Sequence, residues 1–219
     1  MEKKPDLNRA LRRTFWHVYE NLGFLILATT LWALLSLTVI LMPAVTAAIF
    51  IASFDISRDL SPAINKYFKA IPKYFLKSLL VFITFSLLVM LPIFSIKFYL
   101  HKFGFVGLFF AGISFWFFVF SAFSSMYSFP LLLRGNGSLK SVKYSYIVFF
   151  TNIKFTFLVS IPAIFFLILE LFIPFLGIGV YSVFIQNVFL EIEYLYNENM
   201  TILEPKYKLK NLWHIWDLS

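Results

Sequence analysis

Glu170 is the residue of this sequence whose chemistry depends most on its surroundings. It is the only charged residue in an otherwise apolar stretch, residues 155–175. Ionisable groups inside membrane-length apolar segments are rare, and they often handle protons or solutes. We therefore take Glu170 as the centre of a candidate intramembrane polar site, in which its carboxylate would bind a proton or a polar solute.

Three other polar residues complete this candidate site. Lys97 follows one apolar stretch and precedes the next, and Gln186 and Asn187 lie in the last apolar stretch. A plainer interpretation is also open. In that interpretation Glu170 is an interfacial carboxylate that reaches water or pairs with Lys97, and the two amides form hydrogen bonds between helices.

The remaining residues form no pattern that indicates catalysis or metal binding. His17, His101 and His214 are too far apart in sequence for two of them to share a helix face, and the chain contains no cysteine. A nucleophile elbow and a phosphate-binding loop are also absent from the sequence. We predict that the protein is not an enzyme and that it uses no cofactor and no metal.

The composition indicates a membrane protein. Hydrophobic residues make up 60% of the chain, charged residues make up 14%, and 30 of the 219 residues are Phe. A water-soluble chain of this size needs more polar surface than this composition supplies. The net charge of +8 comes from Lys and Arg placed between apolar stretches, where they would meet anionic lipid headgroups. We therefore predict contact with anionic headgroups and no nucleic-acid partner.

The chain is predicted to form one all-α domain, a multi-pass integral membrane bundle of about five or six helices. An amphipathic basic segment, residues 1–20, comes first, and a tail, residues 197–219, comes last. A basic interfacial helix is predicted over 58–77, where Lys recurs every three or four positions between aromatic residues. The stretches predicted to lie in the membrane are 21–54, 78–96, 103–133, 155–175 and 176–195.

The first apolar stretch decides the topology. It runs for 34 residues without a charge, which is too long for one membrane helix of ~20 residues and short for two. If it crosses once, Lys and Arg divide almost equally between the two sides. If it reverses, 17 of the 19 share one side and only Lys97 and Lys102 lie opposite, which is the excess typical of cytoplasmic loops. We therefore predict a break at Pro43 into a hairpin or a re-entrant pair, with both termini in the cytoplasm.

The acidic residues that follow this stretch are interpreted more simply. Asp55 and Asp59 lie one helical turn apart, with Arg58 between them. Charges at this spacing often form a solvated cluster on an exposed helix face. We therefore expect them to be exposed to water.

Three segments carry motifs in a defined order: Leu41–Phe50 around Pro43, the aromatic and basic residues of Tyr67–Leu80, and Tyr127–Lys140. In order and spacing they resemble the YesL-like family of bacterial integral membrane proteins, a family labelled as a domain of unknown function. Met42 stands where that family usually has Gly. The resemblance covers roughly residues 10–196. It implies a compact bundle of five or six membrane helices and association with ATP-driven carbohydrate uptake and glycoside breakdown, and it implies no catalytic residues.

Two functions stay open from the sequence. The first is a non-enzymatic accessory protein of the cell (plasma) membrane that binds another membrane complex. The permease and ATPase subunits of a sugar importer are the partners that the resemblance implies. The second is a small-solute transporter or channel that uses Glu170, Gln186 and Asn187 and acts as a homo-oligomer.

Overall fold

The computed structural model describes residues 5–173 and 175–196, and all regular elements in these ranges are helices. The predicted all-α fold is thus confirmed for this part of the chain. The predicted tail, residues 197–219, lies outside the described residues, as do His214 and Pro174. The nine described helices are α1 (Leu7–Glu20), α2 (Leu22–Ser36), α3 (Met42–Ile56), α4 (Ile64–Lys102), α5 (Gly104–Ser125), α6 (Ser128–Leu133), α7 (Ser138–Thr151), α8 (Ile153–Phe172) and α9 (Gly177–Tyr196).

Three helices, α4, α5 and α8, are long and apolar enough to cross a membrane. The pair α1 and α2, bent by 88°, gives a fourth span if the two form one broken helix. At most 22% of the most apolar window of α4, α5 or α8 is buried inside the bundle. Their outward faces are therefore apolar over a far larger area than water-soluble monomers expose. These features support a multi-pass helical membrane protein.

Helix α1 lies within the predicted segment 1–20 and is amphipathic. It begins after Asp6, whose side chain accepts a hydrogen bond from the Asn8 backbone N–H at 2.9 Å. Its buried residues recur at the spacing of one helix face, and this face packs against α9. They are Ala10, Arg13, Thr14 and His17.

The first apolar stretch is divided into two antiparallel helices, α2 and α3. The Trp32 indole N–H donates to Thr46 Oγ1 at 3.0 Å near the turn, and Leu25 and Ile56 share a buried cluster at the other end. Residues 37–41 make the reversal. Pro43 lies in the first turn of α3, where its missing N–H removes no helix bond. Each helix has 15 residues and is ~22 Å long, shorter than a hydrocarbon core of ~30 Å.

Helix α3 forms the centre of the bundle, because it is apolar all round. Twelve of its 15 residues are buried, and it contacts α2, α4, α6 and α9. Ala44, Ala47 and Ala48 let neighbouring backbones approach closely. The sequence predicted α3 only as the returning part of a hairpin.

Helix α4 has 39 residues and is about 58 Å long, nearly twice the thickness of the hydrocarbon core. The prediction divided this segment at residue 77 into an interfacial helix and a membrane helix, but the structure continues through that position. Ala70 precedes the predicted boundary, Ser78 and Val81 follow it, and all three are buried. Packing against the bundle is therefore continuous across residue 77, and it keeps the helix unbroken.

The predicted stretch 103–133 is divided into α5 and α6 by a turn at Met126 and Tyr127. Pro130 lies in the first turn of α6, a position that suits a residue without an N–H. Helix α5 folds back along α4, and Gly107 makes this approach possible. A Cβ atom at Gly107 would collide with the Tyr99 carbonyl oxygen.

Helix α7 lies in the segment 134–154, between two predicted membrane stretches. It runs beside α4 in the same direction. At its start the Ser138 hydroxyl donates to the Lys77 carbonyl oxygen at 3.0 Å, and two turns later Tyr146 stacks on Phe85. Helix α7 thus brings the basic residues of 134–154 next to those at the start of α4.

Candidate functional site

A buried ion pair joins the first and last described helices at one end of the bundle. Glu191 on α9 lies 3.2 Å from Arg13 and 3.5 Å from Arg9, both on α1. The side chains of Arg13 and Glu191 are only 5% and 1% exposed. Burying either charge alone would cost its full desolvation free energy, and the attraction between the two charges offsets part of this cost.

A second carboxylate on the same helix, Glu193, binds Arg134 at the end of α6. Arg134 also donates to the Pro130 carbonyl oxygen at 2.9 Å, and its guanidinium lies 4.1 Å from the centre of the Phe189 ring. Burial lowers the pKa of Arg134, and the Glu193 carboxylate opposes this shift. Arg58 also lies 3.9 Å from Glu193.

The acidic residues in the last turn of α3 and just after it are also paired. The Lys66 ammonium lies 2.6 Å from both carboxylate oxygens of Asp55, whose side chain is 4% exposed. Asp59 lies 3.2 Å from His17 Nε2 and is partly exposed. The expectation that Asp55 is exposed to water is therefore wrong, because α4 covers it and supplies Lys66 as its partner.

These contacts group the basic segments of the chain at one end of the molecule. Arg13 comes from the N-terminal segment, Arg58 and Lys66 from residues 55–77, and Arg134 from residues 134–154. Lys97 and Lys102 lie at the opposite end of α4. This is the grouping that a reversal within residues 21–54 predicts.

The two amides of the predicted polar site connect helices at the basic end. Asn187 Nδ2 donates to Thr14 Oγ1 at 3.1 Å and lies 3.3 Å from His17 Nδ1. Gln186 Nε2 donates to the Phe50 carbonyl oxygen at 3.2 Å. Both amides are fully buried. They form the interhelical hydrogen bonds of the plainer interpretation.

Glu170 lies elsewhere and caps a helix. Its Oε2 accepts from the Ile178 backbone N–H at 2.6 Å, and so satisfies a free donor at the start of α9. Gly177 permits this contact, because a Cβ atom there would collide with the Glu170 backbone nitrogen. Lys97 is exposed and forms no ion pair with the described carboxylates.

The four residues of the predicted site are therefore not brought together. Ile178, which Glu170 caps, lies eight residues before Gln186 on α9, or ~12 Å along the helix. A cavity of about 330 Å³ between α3, α4 and α9, and another of about 640 Å³ beside the first turns of α4, have linings that contain none of the four. Among the described residues no group of three His, Asp or Glu side chains is placed to hold a metal ion.

The sequence interpretation missed the carboxylates that organise the basic end, Glu191 and Glu193. Both lie within the last predicted membrane stretch, 176–195, where the sequence-based prediction assigns them no role. One signal was available: two carboxylates end a buried helix in a chain with 19 basic and 11 acidic residues. Acidic residues at such a position are natural partners for cations from other segments.

Comparisons with protein-family models, with curated proteins and with solved structures find no match for this chain. The resemblance to the YesL-like family rests on the three sequence motifs.

Proposed function

We propose that this protein is a non-enzymatic integral membrane accessory protein that binds another membrane complex through its basic end. One observation carries the proposal. Four carboxylates at this end, Asp55, Asp59, Glu191 and Glu193, are engaged by cationic or histidine side chains of the same chain, and a fifth, Asp6, caps α1. They are therefore occupied in holding the helices together, and no free carboxylate is left among them for acid–base chemistry.

The positive charge left over at this end is exposed on α4 and α7. Lys77, Lys140 and Lys143 are exposed and form no ion pair within the described ranges. The hydrogen bond from Ser138 to the Lys77 carbonyl oxygen joins the two helices here, and Leu139 is 72% exposed beside them. A basic surface with an exposed apolar residue suits an acidic patch on a partner protein.

The resemblance to the YesL-like family suggests the partner class. It implies the permease and ATPase subunits of an ATP-driven carbohydrate importer. We place the basic end, and with it both termini, on the cytoplasmic side of the cell membrane, because Lys and Arg are enriched there. In this arrangement α2 and α3 form a re-entrant or hairpin pair, and α9 completes a bundle of five or six membrane helices.

Transport has less support than binding. It depends on Glu170, which caps α9, and on Gln186 and Asn187, which bond to neighbouring helices. Each of these three side chains thus already has a structural partner, although Asn187 Oδ1 accepts no hydrogen bond within the described ranges. To bind a solute, these side chains would have to break their present hydrogen bonds and form new ones with the solute.

The test is co-purification from a gentle detergent after reversible cross-linking in cells. The double variant Lys140→Glu with Lys143→Glu should lose the bound permease and ATPase. The matched variant Lys97→Glu with Lys102→Glu, which makes the same charge change at the other end, should retain them. Recovery of the wild type without a partner, or equal recovery of partners by both variants, would overturn the proposal.

A further inference from the structure

A groove of about 640 Å³ lies beside the first turns of α4, between that helix and the ends of α3 and α6. One wall is basic: Lys66, Lys69 and Lys73 recur at the spacing of one helix face. The other walls are apolar and include Ile51, Phe54 and Leu133. The groove therefore combines cationic groups with an apolar floor.

Two of its positive charges are not compensated. Lys66 is held by both oxygens of Asp55. Lys69 and Lys73 are exposed and form no ion pair within the described part of the chain; the Lys73 ammonium lies 5.4 Å from the centre of the Tyr74 ring. An anion in the groove would thus meet two free ammonium groups from one helix.

Two arginines lie near Phe54, one of the residues that line the groove. The Arg58 guanidinium lies 4.1 Å from the centre of the Phe54 ring, and that of Arg134 lies 5.4 Å from it. Their charge is shared with Glu193. The groove therefore has further cations near its Phe54 wall, and the carboxylates beside it, Asp55 and Glu193, are already paired.

The position of the groove favours a lipid as its occupant. It lies where α4 changes from its lysine-bearing turns to its membrane stretch, and the next exposed apolar residues along α4, Leu76 and Leu80, are 70% and 54% exposed. Lysine stems at such a boundary reach toward headgroups. An acidic protein segment would satisfy the lysines, but it would gain little from the walls formed by Ile51 and Leu133.

We propose that this groove binds the headgroup of an anionic phospholipid. The lipid phosphate contacts Lys69 and Lys73, and the glycerol and the first methylenes of an acyl chain lie against Ile51, Phe54 and Leu133. Basic grooves between membrane helices on the cytoplasmic side bind anionic headgroups in this way. The site uses other lysines than the proposed partner surface, and so either proposal can fail without the other.

The test is native mass spectrometry of the full-length protein in a neutral detergent, with added phosphatidylglycerol or phosphatidylcholine. The wild type should retain phosphatidylglycerol preferentially. The variant Lys69→Gln with Lys73→Gln should bind it about thirtyfold more weakly, because each basic residue lost at a lipid surface weakens binding about fivefold. Phosphatidylcholine binding should not change.

Three further arms make the result specific. Lys97→Gln with Lys102→Gln removes two lysines at the other end and should keep full phosphatidylglycerol binding. Lys69→Arg with Lys73→Arg keeps both charges and should retain phosphatidylglycerol binding. This variant distinguishes loss of the charged contacts from misfolding caused by substitution at these positions. Excess inorganic phosphate should not displace the lipid, since it lacks the apolar part. Equal binding of both lipids by the wild type, equal loss in both glutamine variants, or displacement by phosphate or by a soluble polyglutamate peptide would overturn the proposal.

Discussion

The carboxylate of Glu191 on α9 and the guanidinium of Arg13 on α1 lie 3.2 Å apart, and both side chains are almost completely buried. This pair links the first described helix to the last. It also explains why a helix rich in Arg packs against the bundle instead of staying in water. The paired charge replaces the hydration that Arg13 loses, and the apolar residues around it then bury their own surface.

The Glu191→Ala variant should destabilise the protein by about 3–5 kcal/mol, because it leaves the buried Arg13 charge without a partner. The measurement is the free energy of unfolding in a denaturing detergent titration. The variant Glu20→Ala, at an exposed carboxylate on α1, should change it by less than about 0.5 kcal/mol. The double variant Arg13→Met with Glu191→Leu should recover most of the loss. If Glu191→Ala and Glu20→Ala have the same effect, the pair does not stabilise the bundle.

Glu170→Ala should cost about 0.5–2 kcal/mol, because Ile178 then loses its capping acceptor. Glu170→Gln should cost less, since its amide oxygen still accepts the hydrogen bond. The measurement is stability together with hydrogen exchange at the Ile178 backbone N–H, which should be faster in the alanine variant. If Glu170 handles protons instead, the glutamine variant should reduce solute flux in liposomes as strongly as the alanine variant, because neither side chain can carry a proton.

Gly107→Ala should destabilise the hairpin of α4 and α5 by about 1–3 kcal/mol, because the new methyl group meets the Tyr99 carbonyl oxygen. Gly112 on the same helix is the matched control. A Cβ atom there meets nothing within 4 Å, so Gly112→Ala should be neutral or stabilising by up to about 1 kcal/mol. Thermal unfolding in detergent compares the two. Equal effects would mean that the close approach at Gly107 does not limit packing.

Single cysteines introduced into this cysteine-free chain should report the topology. Ser61→Cys and Leu139→Cys lie at the basic end, and His101→Cys lies at the other end of α4. A membrane-impermeant thiol reagent added to intact cells should label only the third. The first two should react after the membrane is opened. Labelling of Ser61→Cys and Leu139→Cys but not of His101→Cys would contradict a reversal within residues 21–54 that leaves the N-terminus in the cytoplasm.

Several features of the fold follow from local sequence and could be predicted. The reversal before Pro43 follows from the length of the apolar run and from the charges on either side of it, and the structure has the break at residues 37–41. The continuous helix α4 could not be predicted in this way. The lysines before residue 77 resemble an interfacial helix in sequence, and only packing of the buried face against α3 shows that the helix goes on.

The candidate site shows the same division. Glu170 can be identified from the sequence alone, because a single charge in an apolar stretch is unusual whatever its partner is. Its partner is the backbone of Ile178, which a side-chain pattern does not reveal. Asp55 was expected to be solvated, and the structure buries it under Lys66.

The sequence by itself determined that this protein is helical and that several of its stretches are apolar enough for a lipid bilayer. Hydropathy and charge act residue by residue along the chain, so the apolar stretches and the charges between them are enough to indicate membrane helices. Only the tertiary structure decided how the buried charges are used. Glu191 and Glu193 find Arg13 and Arg134 across long distances in the chain. The docking of α1, α6 and α9 decides which cations form ion pairs within the chain and which lysines stay available to the proposed partners and lipids. This docking is set by packing between helices and not by any local sequence pattern.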